Sequence, residues 1–467
     1  MRRAIALSLL LEACTPKGPL VSSDVRIDGA GEVDPESHSP RLCLTDDGSL
    51  HVAWVDDRDG APGLWLASSA DGGTTWTQPA RIDHSTGAVS APVLVCAGTT
   101  VHAAWEDTRD GELDNPNVYY SRSTDGGATW PAQDMRVSDD PDGKSQSLGP
   151  DLVVAGDHAY LAWFDDAHGA FDILLAASAD AGAHWRAPER LDGGDPGAAW
   201  SGWPRIVADD AGHVTVVWQD TRSGGADLYA RTSPDAGVTL FPEVRIDGGD
   251  DPGSHDSFRP RVASDGDHVY VVWHDTRDGD QRDVFFNWSG NHGQNWATAA
   301  VRVDSDAAGA YDSIAPDVVV HGDTATFAWQ DARSSAYDIY VRQAQAGVFY
   351  DPEARVDRDA PGAANSLNAR ILQNHDTIAV VWEDRRGDAG QDYDDLFYNY
   401  SRDGGQTWAT TDLSLDSIAP GTSYKLDFQP VLSDGVLYVA WEDGRNGTSD
   451  IYFQALPVGE QAGYVTE

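Results

Sequence analysis

Short apolar runs recur along this chain about every 55 residues, a period in the range of propeller blades. Each run, such as Val-Tyr-Val-Val or Leu-Tyr-Val-Ala, ends in Trp-x-Asp, at Trp54, Trp105, Trp163, Trp218, Trp273, Trp329, Trp382 and Trp441. A second pattern, Arg-apolar-Asp, recurs at Arg26, Arg81, Arg136 (with Ser138 in the Asp place), Arg190, Arg245, Arg302 and Arg355, with a degenerate eighth copy at Ser414-Leu415-Asp416. Each unit predicts four short strands. Strand A follows a Pro (Pro40-Arg41-Leu42-Cys43-Leu44, Pro260-Arg261-Val262) and strand B carries the Trp. A loop of the form Asp-x-Arg-x-Gly leads to strand C (Asp227-Leu228-Tyr229, Asp283-Val284-Phe285), and strand D holds the Arg-apolar-Asp. Runs this short, rich in Val, Ile, Tyr and Trp and punctuated by Gly, Asp and Pro, leave no room for ordinary helices.

The order of the two patterns predicts how the units close. The first Arg-apolar-Asp precedes every Trp-x-Asp, and the last Trp-x-Asp reaches a strand C and stops. Residues 24 to 28 therefore supply strand D to a last unit whose other strands lie in 430 to 456, leaving no open sheet edge. The expectation is an all-β, eight-bladed β-propeller of four-stranded antiparallel blades over residues 24–457, closed by the N-terminal strand, with 458–467 as a tail. Length alone, at 467 residues, would have suggested three domains.

Composition adds two exclusions. Lys plus Arg is 32 and Asp plus Glu 76, so the net charge is 32 − 76 = −44, which repels phosphate backbones and excludes nucleic acid as a partner. The acids are 64 Asp and 12 Glu against 3 Lys, a balance poor in helix formers. At the N-terminus, Arg2 and Arg3 precede an apolar Ala4 to Leu11, and Leu11-Glu12-Ala13-Cys14 has the form Leu-x-small-Cys. This resembles a bacterial lipoprotein signal, which implies a signal peptide over 1–13, lipid on Cys14, a tether over 14–23 and an exported, outer-membrane or periplasm-facing protein. An ordinary signal peptide is the other reading. Cys43 and Cys96 fall on neighbouring innermost strands with opposite facing, so they form either a disulfide between blades 1 and 2 or two small buried thiols.

At the C–D turn, Ser69-x-Asp71-x-Gly73-x-Thr75-Trp76 recurs as Ser123 to Trp130 and Ser401 to Trp408. These turns resemble the Asp-box of sialidase-like (BNR-repeat) propellers; blades 3 to 5 carry weaker copies and blade 6 none. The resemblance implies the propeller fold and, in an active sialidase, three Arg on a substrate carboxylate, a Tyr assisted by a Glu as nucleophile and an Asp as acid/base. The family's aromatic-Arg-Ile-Pro motif is absent, and the count of eight blades departs from the sialidases' six.

Asp-box turns lie at one end of the blades, so a site belongs at the other, where the B–C and D–A loops meet. That rim carries Asp-x-Arg in seven blades, from Asp56 and Arg58 to Asp443 and Arg445, while blade 3 has Asp165 and Ala167. A feature needed once per blade reads as a brace; the alternative is an ion site. Ligand-binding candidates are Arg41, Arg205, Arg261 and Arg370 at the start of strand A, where the other blades have Val93, Asp151, Asp317 and Val431. The alternative for the four is pairing with Asp151 or Asp317 across the channel. Trp200, Trp203 and Tyr424 in D–A loops are further candidates, as faces for sugar rings or a protein partner. The loops 107–114 and 392–395 could offer oxygens to calcium, and the 14 His show no metal-like spacing, so no metal or cofactor is assigned. The first reading is thus a monomeric, lipid-anchored module binding a glycan or an envelope protein. The alternative is a glycan-active enzyme, a sialidase-like hydrolase or a lyase, with its catalytic residues unassigned. Convergence of the four Arg in one pocket beside an unpaired acid would favour the enzyme, and pairing of each across the channel would favour binding.

Overall fold

Eight antiparallel sheets, seven of four strands and that of blade 6 of five, close into a ring. The computed structural model describes residues 23–458 apart from 30–34, 112–114, 140–143, 351, 389 and 391–392; Cys14, the leader, nearly all of the tether and the end of the tail lie outside these. Blade 1 consists of strands A (Ser37–Leu44), B (Leu50–Asp56), C (Gly63–Ser69) and D (Ala80–Arg81), and this order repeats through blade 7. Blade 8 takes A from Lys425–Ser433, B from Val436–Asp443 and C from Asp450–Pro457. Its strand D is Val25–Arg26, paired antiparallel with C through Val25–Phe453 and Arg26–Tyr452. Each strand A packs on strand A of the next blade, and the eighth packs on the first. No described residue is helical.

Sandwiching between blades explains the continuous apolar runs: every residue of strand B in blade 1 is buried. The eight Trp are fully buried. In seven blades the indole N–H donates to the Asp two residues on, at 2.9 to 3.4 Å. The same Asp accepts the backbone N–H of the following Arg at 2.8 to 2.9 Å. That Arg lies 3.9 to 4.5 Å over a strand-C aromatic ring, from Trp65 in blade 1 to Tyr452 in blade 8. The Asp-x-Arg pairs are therefore braces that fix the B–C loop, using charge-assisted hydrogen bonds and ring contacts at once. The Ser-x-Asp-x-Gly-x-Thr-Trp turn closes as its residue types require. Asp71 accepts the N–H of Thr75 at 2.8 Å, Ser69 Oγ accepts the N–H of Gly73 at 2.9 Å, and the Trp76 indole donates to Gly73 O at 3.0 Å. Blade 6, without the motif, instead extends strand C into a small hairpin in which Phe349 pairs with Ala344.

Two expectations need correction. Strand A does not follow its Pro but begins three residues earlier, at Ser37 in blade 1, and runs through a bulge in every blade. The bulge residue has positive φ: Ser39, Ala91, Gly149, Trp203, Arg259, Ala315, Asn368 and Asp427, at 44° to 59°. Six of the eight precede a Pro, which has no N–H to give a ladder and is tolerated at a bulge. The bulge also sets the register, so the residue of blade 8 equivalent to Arg41 is Gln429 rather than Val431: Arg41 pairs with Ala53 and Gln429 with Ala440, each just before the Trp.

Candidate functional site

Just past each bulge one side chain turns toward the axis, and the ring of eight reads Arg41, Val93, Asp151, Arg205, Arg261, Asp317, Arg370 and Gln429. Arg41, Arg205, Arg261 and Arg370 all line one cavity of about 500 Å³ at the channel mouth, together with Asp151, Asp427 and Gln429. In a chain of net charge −44 this is a local concentration of cations.

The four are not equivalent. Arg41 donates to Pro40 O at 2.8 Å and forms an ion pair with the exposed bulge residue Asp427 at 3.3 Å. Arg205 donates to Pro204 O at 3.2 Å, while its buried Nε has no partner. The side chains of Arg261 and Arg370 make no hydrogen bond or ion pair with any described residue. Burial, then repulsion from Arg370 and Arg205, brings the Arg261 guanidinium down to about 9, against weaker attraction from Asp317 and Asp151. The acids of the ring are committed to backbone instead: Asp151 accepts the N–H of Ile206 at 3.1 Å and Asp317 that of Ile371 at 3.1 Å. Burial raises the Asp151 carboxyl despite Arg205 and Arg261 nearby. Three guanidiniums that repel one another, two of them unpaired, form a site whose electrostatic deficit an anion removes.

Beside this cavity a second, of about 200 Å³, is lined by Trp203, Arg205, Arg259, Pro260 and Arg261. Trp203 is the bulge residue of blade 4, with its ring 49% exposed and 5.5 Å from that of Phe164. It presents an aromatic face next to the arginines, whereas Trp200 folds over Gly202, where an added Cβ would meet its ring at 2.4 Å. Tyr424 packs in the same way over Gly444 and does not line the cavity. No Tyr lines the cavity among the described residues. Cys43 and Cys96 are joined by a disulfide between strands A of blades 1 and 2, with Cα atoms 5.5 Å apart. In the carboxylate-dense loops, Asp107 pairs with Arg109, Asp394 with Arg385 at 2.7 Å and Asp395 with Lys425 at 2.9 Å; residues 112–114 and 392 lie outside the described residues.

Glu383 escaped the sequence reading. It is the middle residue of Trp382-x-Asp384, accepts Asn368 Nδ2 at 2.6 Å, and burial pushes its carboxyl up to about 7. The signal lay in the x of Trp-x-Asp, which varies from blade to blade while its neighbours repeat. In blade 2 this position is Glu106, which accepts the bulge N–H of Gly149 at 2.8 Å, and in blade 6 it is Gln330, which accepts that of Asn368 at 2.8 Å. In blades 2 and 6 the position therefore reaches the bulge of the next blade, while Glu383 bonds the bulge residue of its own blade.

Comparison with solved structures places the fold. An ulvan lyase of polysaccharide lyase family PL25, bound to -[GlcA(1-4)Rha3S]-, is similar over 94% of this chain and 96% of its own, with TM-score 0.51 and 11% identity. A mutant Trypanosoma rangeli sialidase displaying trans-sialidase activity matches over 94% of this chain and 60% of its own, with TM-score 0.45 and 13% identity. The GH93 alpha-L-arabinofuranosidase of Fusarium graminearum, in complex with arabinobiose, matches over 77% and 92%, with TM-score 0.43 and 16% identity. No protein-family model and no curated protein matches the chain. The likeness is one of fold alone.

Proposed function

We propose that this protein is a glycan-active enzyme, a hydrolase or lyase, that takes an acidic saccharide at the channel mouth. The observation that carries this reading is the convergence of Arg205, Arg261 and Arg370 on one cavity with Arg261 and Arg370 unpaired. A carboxylate or sulfate relieves their mutual repulsion, and a neutral sugar does not. Trp203 supplies a face for the adjoining ring. Asp151, kept toward its protonated form by burial, stands in the same cavity as the proton donor. The acidic ligand of the ulvan lyase of like fold supports the choice of test substrates.

The test incubates the purified chain with uronate, sialic acid, sulfated and neutral oligosaccharides, and follows the products by mass and ultraviolet absorbance. The expected result is cleavage of an acidic glycan only, lost with Arg261→Ala. Added water marks a hydrolase, and an unsaturated product marks a lyase. Binding of an acidic glycan without cleavage would overturn the enzyme and leave a binding module. That second reading is favoured by one observation: the acids Asp151 and Asp317 both hold backbone N–H groups. Export and lipid anchoring at Cys14 belong to the same proposal, supported by the lipobox-like Leu11-Glu12-Ala13-Cys14 and by a disulfide suited to an oxidising compartment. Radiolabelled fatty acid retained by the native chain and lost with Cys14→Ser checks them.

A further inference from the structure

On the rim opposite the arginines, two turns of neighbouring blades bring together residues that no motif connects. Asp209 and His213 belong to the A–B turn of blade 4, and His292 to the C–D turn of blade 5. The Nδ1 atoms of His213 and His292 lie 2.7 and 3.1 Å from the same oxygen, Asp209 Oδ2. The two rings stack with centroids 3.7 Å apart and planes 12° off parallel. We propose that Asp209, His213 and His292 form a site for a divalent transition metal of the zinc class, stapling blade 4 to blade 5.

Three observations support the assignment. One ligand atom from each residue lies within 4.8 Å of the others, and two imidazoles with one carboxylate are a donor set for zinc and its neighbours. With metal–ligand bonds of about 2.0–2.1 Å, tetrahedral ligand atoms stand about 3.4 Å apart, so the oxygen–nitrogen separations must widen by a few tenths of an Å and the stacked rings must turn out of parallel for both lone pairs to reach one ion. The supporting contacts are already made. Asp209 Oδ1 accepts the N–H groups of Ala211 at 2.9 Å and His213 at 3.0 Å, which leaves Oδ2 for the imidazoles. His292 is held by its N–H on Asp267 O at 2.7 Å and by Thr215 Oγ1 donating to its carbonyl at 3.1 Å. These contacts hold the Asp209 carboxylate and the His292 backbone in place before a metal arrives. Finally, a cavity of about 10 Å³ lined by these three side chains and by Ser264 and Gly266 has room for one water as a fourth ligand.

The site is independent of the arginine cavity and does not depend on the proposed activity. Its test is titration of chelator-treated protein with Zn²⁺ by calorimetry, with Co²⁺ as a spectroscopic probe and Mg²⁺ as a control for binding to the acidic surface. The expected result is one equivalent of Zn²⁺, a rise in Tm reversed by chelator, and visible Co²⁺ bands of a tetrahedral nitrogen-bearing site. His292→Ala and His213→Gln should each weaken Zn²⁺ binding by about tenfold or more. His255→Ala, which removes a His that contacts Asp250 and Ser254 away from the site, should leave it unchanged. Each variant is first shown by circular dichroism and metal-free Tm to be folded. Absence of saturable Zn²⁺ binding, or binding by the two site variants as tight as by the native protein, would overturn the proposal.

Discussion

Asp165 shows what a brace does, because its blade lacks one. The Asp of the other braces is held below the usual carboxylate range in blades 1, 4, 5, 6 and 8, where burial alone would raise it but the paired Arg outweighs burial. In blade 3 the Arg is Ala167, burial wins, and the Asp165 carboxyl is raised. The ring partner is missing too: Leu174 faces Trp163 where Trp65 faces Trp54 in blade 1, and the Trp163 indole N–H is buried without a partner. Ala167→Arg should therefore stabilise the protein by about 1 kcal/mol, and adding Leu174→Tyr should add about 0.5 kcal/mol by restoring the ring contact. Both are read as Tm, and a fall in Tm with the single variant would contradict the brace. Blade 7 shows the converse. Its strand D has no Arg, and the buried Lys425, borrowed from strand A of blade 8, pairs with Asp395 at 2.9 Å and Asp416 at 3.1 Å in the place of the guanidinium. The repeat made the brace legible in the sequence, but this replacement arrives from the next blade and carries no local signal.

At the scale of the element, closure rests on a two-residue strand, too short to hold itself by ladder bonds. Arg26 contacts the fully buried carboxylates of Asp28 and Asp450, each at 2.6 Å, and Asp28 accepts the N–H of Ile451 at 3.2 Å. Arg26→Ala strands two buried acids, and the expected cost is about 3 kcal/mol, since removing one partner leaves a buried charge uncompensated. Hydrogen exchange should then show the amides of Ile451 and Phe453 losing protection before those of strand C in blade 4. Uniform loss across the ring would show that closure is not local. Strand pairing and the N-terminal closure were legible from the order of the motifs. The bulge in strand A was not, because Pro40 and its equivalents look like strand starts until the register is seen.

Across the whole molecule, burial places several carboxyls far above their ordinary range: Asp247 and Asp283 at about 6 and Glu383 at about 7. Unfolded carboxyls titrate near 4, so between pH 8 and pH 5 these groups, with Asp304 and Asp357 at about 8, take up protons in the folded state only and raise stability as pH falls. The buried His51, His102 and His274, at about 4, 4 and 3, pull the opposite way. The braced Asp56, Asp220, Asp331 and Asp443 act in the opposite sense. Their contribution is present above the unfolded pKa and is lost as pH falls through their lower folded values. Loss of acidic self-repulsion adds to the first effect. Tm should therefore be higher at pH 5 than at pH 8 and fall again below about pH 3. A steady fall from pH 8 to pH 5 would contradict this balance. The sequence by itself determined the eight blades, their closure and the braces, because each is a local pattern repeated at a fixed period and repetition separates signal from chance. Only the tertiary structure decided the cavity, the unequal partners of its four arginines, the protonatable Glu383 and the Asp209–His213–His292 cluster. Those come from residues on different blades, whose meeting depends on the register and curvature of the ring rather than on any spacing along the chain.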